Sequence, residues 1–125
     1  MGTAQNPSQG SSPSSFTTKG ALPAAYRRLL ETMQRLNFGK IEDLEIRGGL
    51  PVLQPPPRIV RDVKIGAENS ARPELEKEDF LLRAPVIEFF EHLSQLGNGR
   101  VALIEIRHGH PFRLLIEQPV EEVLR

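Results

Sequence analysis

A seven-residue stretch that occurs twice constrains the fold of this chain more than any other feature. The first copy is Glu45-Ile46-Arg47-Gly48-Gly49-Leu50-Pro51, and the second, 60 positions later, is Glu105-Ile106-Arg107-His108-Gly109-His110-Pro111. Five of the seven positions are identical. Each copy is typical of the end of a strand, a glycine-dependent reversal and the start of a second strand. The sequence therefore predicts two β-hairpins of the same design.

The repeat extends beyond the hairpin in both directions. Residues 29–52 align with residues 89–112 without a gap and share eight identities in 24 positions, against roughly one or two expected from average residue usage. Upstream of each hairpin, apolar residues recur at the spacing of one helix face. Each copy is therefore predicted to be a helix followed by a hairpin, and the pair to have arisen by duplication.

The length of 125 residues allows one ordinary domain, so the two copies are expected to share a core. The predicted fold class is α+β, with duplicated αββ units and two helices on one face of a four- or five-stranded antiparallel sheet. Residues 1–20, rich in Ser, Pro and Gly, are expected to be a disordered tail. A single domain is predicted for residues 21–125, with repeats at about 22–66 and 83–118 and a charged connector between them.

Four strands are expected in the two hairpins and a fifth between them. The alternation of apolar residues breaks at Ile41 and Val101, which predicts a bulge or bend near Asp43 and Leu103. The glycines Gly49 and Gly109 are expected to have positive φ in the hairpin turns, and Gly39 and Gly99 to form turns where the helices end. The predicted strands are 40–47, 52–54, 58–65, 100–107 and 112–117.

Composition limits the classes of function. Cysteine is absent, which excludes disulfides, thiolate nucleophiles and thiolate zinc sites. The N-terminal sequence lacks the pattern of a secretory signal, and no apolar run is long enough for a bilayer span, so we expect a cytoplasmic protein without a membrane partner. Residues 19–66 have a net charge of +4 and residues 67–125 a net charge of −4. This distribution favours attraction between the two halves, or between chains.

One family resemblance involves the order of a helix, Phe38-Gly39, Ile41, Leu44-x-Ile46, Gly49 and Pro51-Val52, followed by Arg58-Ile59-Val60-Arg61. This order, over about 40 residues, resembles the small bacterial YezD-like proteins, which have a short helix, an aromatic-glycine step and a hairpin with a glycine turn. The second copy departs from that pattern because Asn98 replaces the aromatic residue. The resemblance implies the helix-plus-hairpin module and carries no functional residues to this chain.

No motif predicts catalysis or a cofactor. The one candidate metal cluster is His108 and His110 in the second turn with Glu88 and His92 on the second helix, and solvated histidines are the simpler interpretation. The serines have no nucleophile motif around them. We therefore expect a non-enzymatic protein that needs no cofactor.

Two polar sets are candidate interaction surfaces. Glu45 and Arg47, with Glu105 and Arg107, point away from the apolar strand face, so packing on the helices does not explain their identity in the two copies. They form either surface ion pairs or an interface with a protein partner, for which self-association is one possibility. The function that we expect first is therefore a small bacterial interaction or accessory module. The alternative is a nucleic-acid-binding accessory protein that uses the basic first half, whose candidate phosphate contacts are Arg27, Arg28, Arg35, Lys40, Arg58, Arg61 and Lys64.

Overall fold

The computed structural model describes residues 18–66 and 82–118 and has an α+β architecture, as predicted. A short 3-10 helix, Lys19–Ala21, precedes helix α1. The elements are α1 (Ala24–Leu36), β1 (Gly39–Arg47), β2 (Leu50–Pro51), β3 (Arg58–Arg61), α2 (Ala84–Leu96), β4 (Gly99–Arg107) and β5 (His110–Ile116). The bounds of α2 and β4 lie 60 positions after those of α1 and β1, although a common origin by duplication stays a prediction.

The five strands form one antiparallel sheet with β1 and β4 at its centre. The strand order is β2-β1-β4-β5, and β3 pairs with β1. Both helices place their apolar stripes on one face of this sheet, where Ile41, Leu44 and Ile46 of β1 meet Val101, Ile104 and Ile106 of β4 in a single core. The opposite face, which we call the outer face, has no helix over it among the described residues.

The two helices end in the same way. The residue after each helix has a positive φ, 66° at Asn37 and 71° at Gly97. Each of these residues donates its N–H to a carbonyl in the last helical turn, Met33 O or Leu93 O. The ψ angles are −57° at Asn37 and −82° at Gly97, and the next N–H in each copy donates to Leu36 O or Leu96 O. Each helix therefore ends in a γ-turn rather than in a left-handed cap.

The pairing of β1 with β4 is symmetric. Gly39 is opposite Ile106, and Ile46 is opposite Gly99. Equivalent residues of the two strands therefore have equivalent partners. The register therefore maps onto itself under a local twofold rotation. Two equivalent copies can bury one continuous core in this way.

The hairpin turns contact the helix ends of the opposite copy. Gly49 donates its N–H to Gly97 O at 2.6 Å, and Gly109 donates its N–H to Asn37 O at 2.9 Å. The backbone φ is 79° at Gly49 and 76° at Gly109, as predicted, and it is positive also at Gly48 and His108. Two consecutive positive φ values are the mark of the tight turn that matches strand twist. Each turn thus closes a hairpin and also occupies the end of a helix in the other half.

Several predicted boundaries are corrected by the structure. The return strand of the first copy is Leu50–Pro51 rather than 52–54, and β3 ends at Arg61 instead of residue 65. Beyond Arg61 the chain leaves the edge of β1, and Ile65, expected on an apolar face, is 95% exposed. Strand β5 begins at His110, two residues earlier than expected.

The glycines at the helix ends also differ from expectation. Gly39 and Gly99 are the first residues of β1 and β4, and the γ-turn that ends the helix is centred two positions earlier in each copy. A Cβ at Gly39 would lie 2.2 Å from Val60 O, so the close approach of β3 explains the glycine there. The bend expected in β1 is present, since Asp43 has a φ of 63°.

Residues 18–20, predicted to belong to a disordered tail, are ordered. Lys19 is only 1% exposed, and its ammonium group lies 2.9 Å from a carboxylate oxygen of Glu31. The sequence prediction missed this because a single lysine in a Ser/Pro/Gly-rich stretch has no periodic context. The rest of the tail, the charged connector at 67–81 and the last residues from 119 lie outside the described residues.

Candidate functional site

The outer face holds the two Glu-x-Arg pairs that the sequence singled out. Within the first pair an Arg47 guanidinium nitrogen donates to Glu45 Oε2 at 2.6 Å, and in the second Arg107 donates to Glu105 Oε2 at 3.2 Å. All four residues lie on the side of the sheet away from the core, as predicted from alternation. Isolated exposed pairs of this kind contribute little to stability.

The second pair belongs to a larger cluster and the first does not. The Arg107 guanidinium lies 4.0 Å from the centroid of the Phe112 ring, and Arg113 Nε lies 3.4 Å from Glu105 Oε1. We call Glu105, Arg107, Phe112 and Arg113 the Phe112 cluster. The position equivalent to Phe112 in the first copy is Val52, so Arg47 has no ring to stack on. The cluster of stacked and paired side chains on the outer face therefore lies on the β5 side of the sheet only.

A bulge in β5 places Phe112 on the surface. Pro111 is opposite Ile106 and Arg113 is opposite Glu105, so Phe112 is the additional residue between them. A bulge of this kind redirects a side chain. Phe112 is 59% exposed, and Leu115 further along the strand is 44% exposed. Among the described strands β5 pairs only with β4, so the other edge of β5, near the exposed Phe112 and Leu115, has no neighbouring strand within residues 18–66 and 82–118.

Two surface grooves lie at the C-terminal ends of the helices, in equivalent places. The first, of about 710 Å³, lies at the end of α1, and we call it the α1-end groove. The second, of about 900 Å³, lies at the end of α2, and we call it the α2-end groove. Each groove is lined by the first residues of one central strand and by the Glu-x-Arg pair of the other. The α1-end groove has the side chains of Phe38, Lys40, Arg61, Asp62, Lys64 and His108 around that common frame.

The seven candidate phosphate contacts do not form one surface. Arg27, Arg28 and Arg35 are exposed on α1, which separates them from the outer face of the sheet. Arg58 Nε lies 3.1 Å from Glu42 Oε1. The remaining three, Lys40, Arg61 and Lys64, line the α1-end groove together.

Arg61 contributes to the groove by fixing its wall. Its Nη1 donates to Leu36 O at 3.2 Å, at the C-terminal end of α1. A cation at this helix end interacts favourably with the helix dipole. Asp62 then donates its N–H to Phe38 O at 2.9 Å. These bonds hold the strand after Pro57 against the helix end and so shape one side of the groove.

The histidines considered as metal ligands lie apart. His92 Nε2 is 3.7 Å from Glu88 Oε2 on α2, whereas His108 stacks edge-on against Phe38 at a centroid distance of 4.8 Å. Among residues 18–66 and 82–118, no three His, Asp or Glu side chains lie close enough together to hold a metal ion.

Comparison with protein-family models, curated proteins and solved structures finds no match to this chain. Within the described ranges, neither helix combines the length and the apolar composition that crossing a bilayer requires.

The candidate-site residues that differ between the two copies were not predicted from the sequence, because a repeat is recognised by the positions at which its copies agree. Phe38, His108 and Phe112 stand where the other copy has Asn98, Gly48 and Val52. In the alignment of the repeat, an aromatic ring in only one copy marks all three, together with Phe89, Phe90, His92 and His110. The positions of Phe38, His108 and Phe112 on the surface, however, depend on the strand pairing and on the bulge.

Proposed function

We propose that this chain is a non-enzymatic interaction module that associates with a second copy of itself through β5 and the Phe112 cluster. The observation that carries the proposal is the stacking of the Arg107 guanidinium on the exposed Phe112 ring at 4.0 Å. Aromatic and arginine side chains are enriched where interfaces derive most of their binding energy.

The geometry of the edge supports a second copy as the partner. An antiparallel pairing of β5 with β5 of another chain continues the sheet and brings Phe112 of each chain near Leu115 of the other. Both side chains are then removed from water by the same symmetric contact. Pro111 has no N–H to offer, so this pairing would use the strand from Phe112 to Ile116.

The charged residues of the cluster fit an interface rim. Glu105 accepts from Arg107 at 3.2 Å and lies 3.4 Å from Arg113, so their charges are mutually balanced before association. Partial burial of neutralised ion pairs at an interface rim costs little free energy. Such pairs contribute more to the orientation of the partners than to affinity. The apolar side chains of β5 would therefore dominate the affinity.

Sedimentation of single-residue variants tests this proposal. We expect the wild-type chain to show a concentration-dependent dimer and Phe112→Ser to weaken dimerisation by about tenfold or more. Leu50→Ser is the matched control, because Leu50 is 40% exposed but lies on β2 at the other edge of the sheet. A wild-type chain that stays monomeric at high concentration, or equal weakening in both variants, contradicts the proposal.

A further inference from the structure

The two grooves at the helix ends share one frame but differ in charge. The α1-end groove is lined by four cationic side chains, Lys40, Arg61, Lys64 and Arg107, and by two carboxylates, Asp62 and Glu105. In the α2-end groove, two arginines face two glutamates. The local twofold thus provides a near-neutral groove with which the basic one can be compared.

The difference at Lys40 has an identifiable cause. At the equivalent position of the α2-end groove, Arg100 Nη1 lies 3.1 Å from Asp43 Oδ1. Leu103 stands at the position equivalent to Asp43, so the corresponding carboxylate is missing beside Lys40. Within the described part of the chain, the exposed Lys40 ammonium has no ion-pair partner. Its charge is therefore available to an anion in the groove.

The α1-end groove also combines cations with aromatic rings. The Phe38 and His108 rings meet edge to face at 4.8 Å, and Lys64 Nζ lies 5.4 Å from the Phe38 centroid. Asn98 and Gly48 occupy the equivalent positions of the other copy. A ligand matched to this groove carries negative charge and a flat ring system.

We propose that the α1-end groove binds single-stranded nucleic acid. Lys40 faces the backbone phosphates, and an unpaired base stacks at the Phe38–His108 rings, which is the combination found in channels for single strands. A duplex keeps its base faces stacked on one another and offers only phosphates, and an acidic peptide offers charge without rings. The groove shares Glu105 and Arg107 with the Phe112 cluster. Its tests change Lys40 and Phe38, which lie outside that cluster, so they separate this proposal from self-association through β5.

Fluorescence anisotropy with the full chain and a labelled oligo(dT) of about eight nucleotides tests the groove, since single-strand sites span roughly 4 to 16 nucleotides. Lys40→Gln is expected to weaken binding by about 3- to 10-fold and to lower the magnitude of the salt slope by about 0.7, the contribution of one phosphate contact. Arg100→Gln is the matched control, because it removes the same charge from the equivalent position of the α2-end groove. We expect it to weaken binding less than about twofold.

Phe38→Leu separates stacking from charge. It is expected to weaken binding by about tenfold while leaving the salt slope unchanged, because it removes a ring and no cation. Circular dichroism of each variant establishes that the fold is retained. Comparison with oligo(U) of the same length shows whether the groove binds RNA or DNA more tightly. A preference for either one supports the proposal.

Four results would overturn it. The wild-type chain could fail to bind at low salt, or Lys40→Gln and Arg100→Gln could have equal effects, which indicates unspecific attraction. A duplex of the same sequence could bind as tightly as the single strand. Polyglutamate could compete as well as oligo(dT) at equal charge, in which case the groove takes an acidic protein segment instead.

Discussion

Tyr26 is the only tyrosine of the chain, and it connects the two halves of the core. Its ring stacks on Phe90 of the other half, with centroids 4.4 Å apart and planes 12° from parallel. Its hydroxyl donates to Gly49 O at the first hairpin turn. Burial raises the pKa of Tyr26 from about 10 to about 12, because the phenolate form would lose its hydration.

This pKa shift predicts a loss of stability at high pH. The unfolded chain releases the Tyr26 proton near pH 10, whereas the folded chain retains it to about pH 12. The free energy of unfolding should therefore decrease by about 1.4 kcal/mol per pH unit between these values, and Tyr26 should contribute no pH dependence below them. Absorbance of the tyrosinate reports the ionisation directly. The decrease should be smaller by this amount in Tyr26→Phe, and a folded chain that ionises near pH 10 contradicts the assignment.

Glu31 and Glu91 occupy equivalent positions of the two helices but have different surroundings. Glu31 pairs with the buried Lys19, while the described residues record no ion pair for Glu91. Glu31→Gln should therefore destabilise the fold by about 2 kcal/mol, less than for a wholly buried pair because Glu31 is partly exposed. Glu91→Gln should change the unfolding free energy by less than about 0.5 kcal/mol. Chemical denaturation of both variants measures the difference, and equal effects would show that the Lys19 pair is unimportant.

At the scale of elements, the hairpin turns combine a backbone requirement with a tertiary contact. Gly49 has a φ of 79°, and a Cβ there would lie 3.4 Å from Ser94 Cα on α2. Gly49→Ala should therefore cost about 1 to 2 kcal/mol in unfolding free energy, because alanine is strained at this φ. Gly48 has a φ of 61°, a Cβ added to it would meet nothing within 4 Å, and the equivalent residue is His108. Gly48→Asn should change stability by less than about 0.5 kcal/mol, and thermal midpoints that rank the two variants the other way contradict this account.

The helices and the central strands could be predicted closely from the sequence, whereas the edges could not. The apolar stripe from Tyr26 to Leu36 is a local signal, and it placed α1 correctly. The extent of β2 and β3 depends instead on how long two chain segments stay beside β1. The strand after Pro57 pairs with β1 only as far as Gly39, where β1 begins. No local sequence pattern in residues 58–65 indicates where this pairing ends.

At the scale of the whole molecule, the local twofold explains why the candidate sites were only partly predictable. Outward-facing residues such as Glu45 and Arg107 follow from strand alternation alone. Phe38 and His108 are 70 positions apart and meet only because β1 and β4 run antiparallel in the observed register. Strand alternation therefore predicts that Glu45 and Arg107 face outward, but the grouping of side chains into a groove or a cluster requires the pairing.

The same twofold supplies a test of the outer face. Arg107→Ala should weaken self-association, because Arg107 stacks on Phe112 at the proposed contact. Arg47→Ala should leave association unchanged, since Val52 replaces the phenylalanine in that half. Both variants should keep the stability of the monomer within about 1 kcal/mol, as exposed pairs contribute little. Sedimentation equilibrium compares the two, and an equal loss of association would place the contact elsewhere.

The reciprocal bonds from Gly49 to Gly97 O and from Gly109 to Asn37 O make the two halves complementary to each other. Nothing in this contact distinguishes the other half of the same chain from the other half of a neighbouring chain. Two chains can therefore exchange halves and form a closed dimer in which every contact between halves is preserved. The covalent connection opposes this exchange only through the effective concentration that it imposes. An exchanged dimer would accumulate after unfolding and refolding at high protein concentration, would persist on dilution, and would not respond to Phe112→Ser.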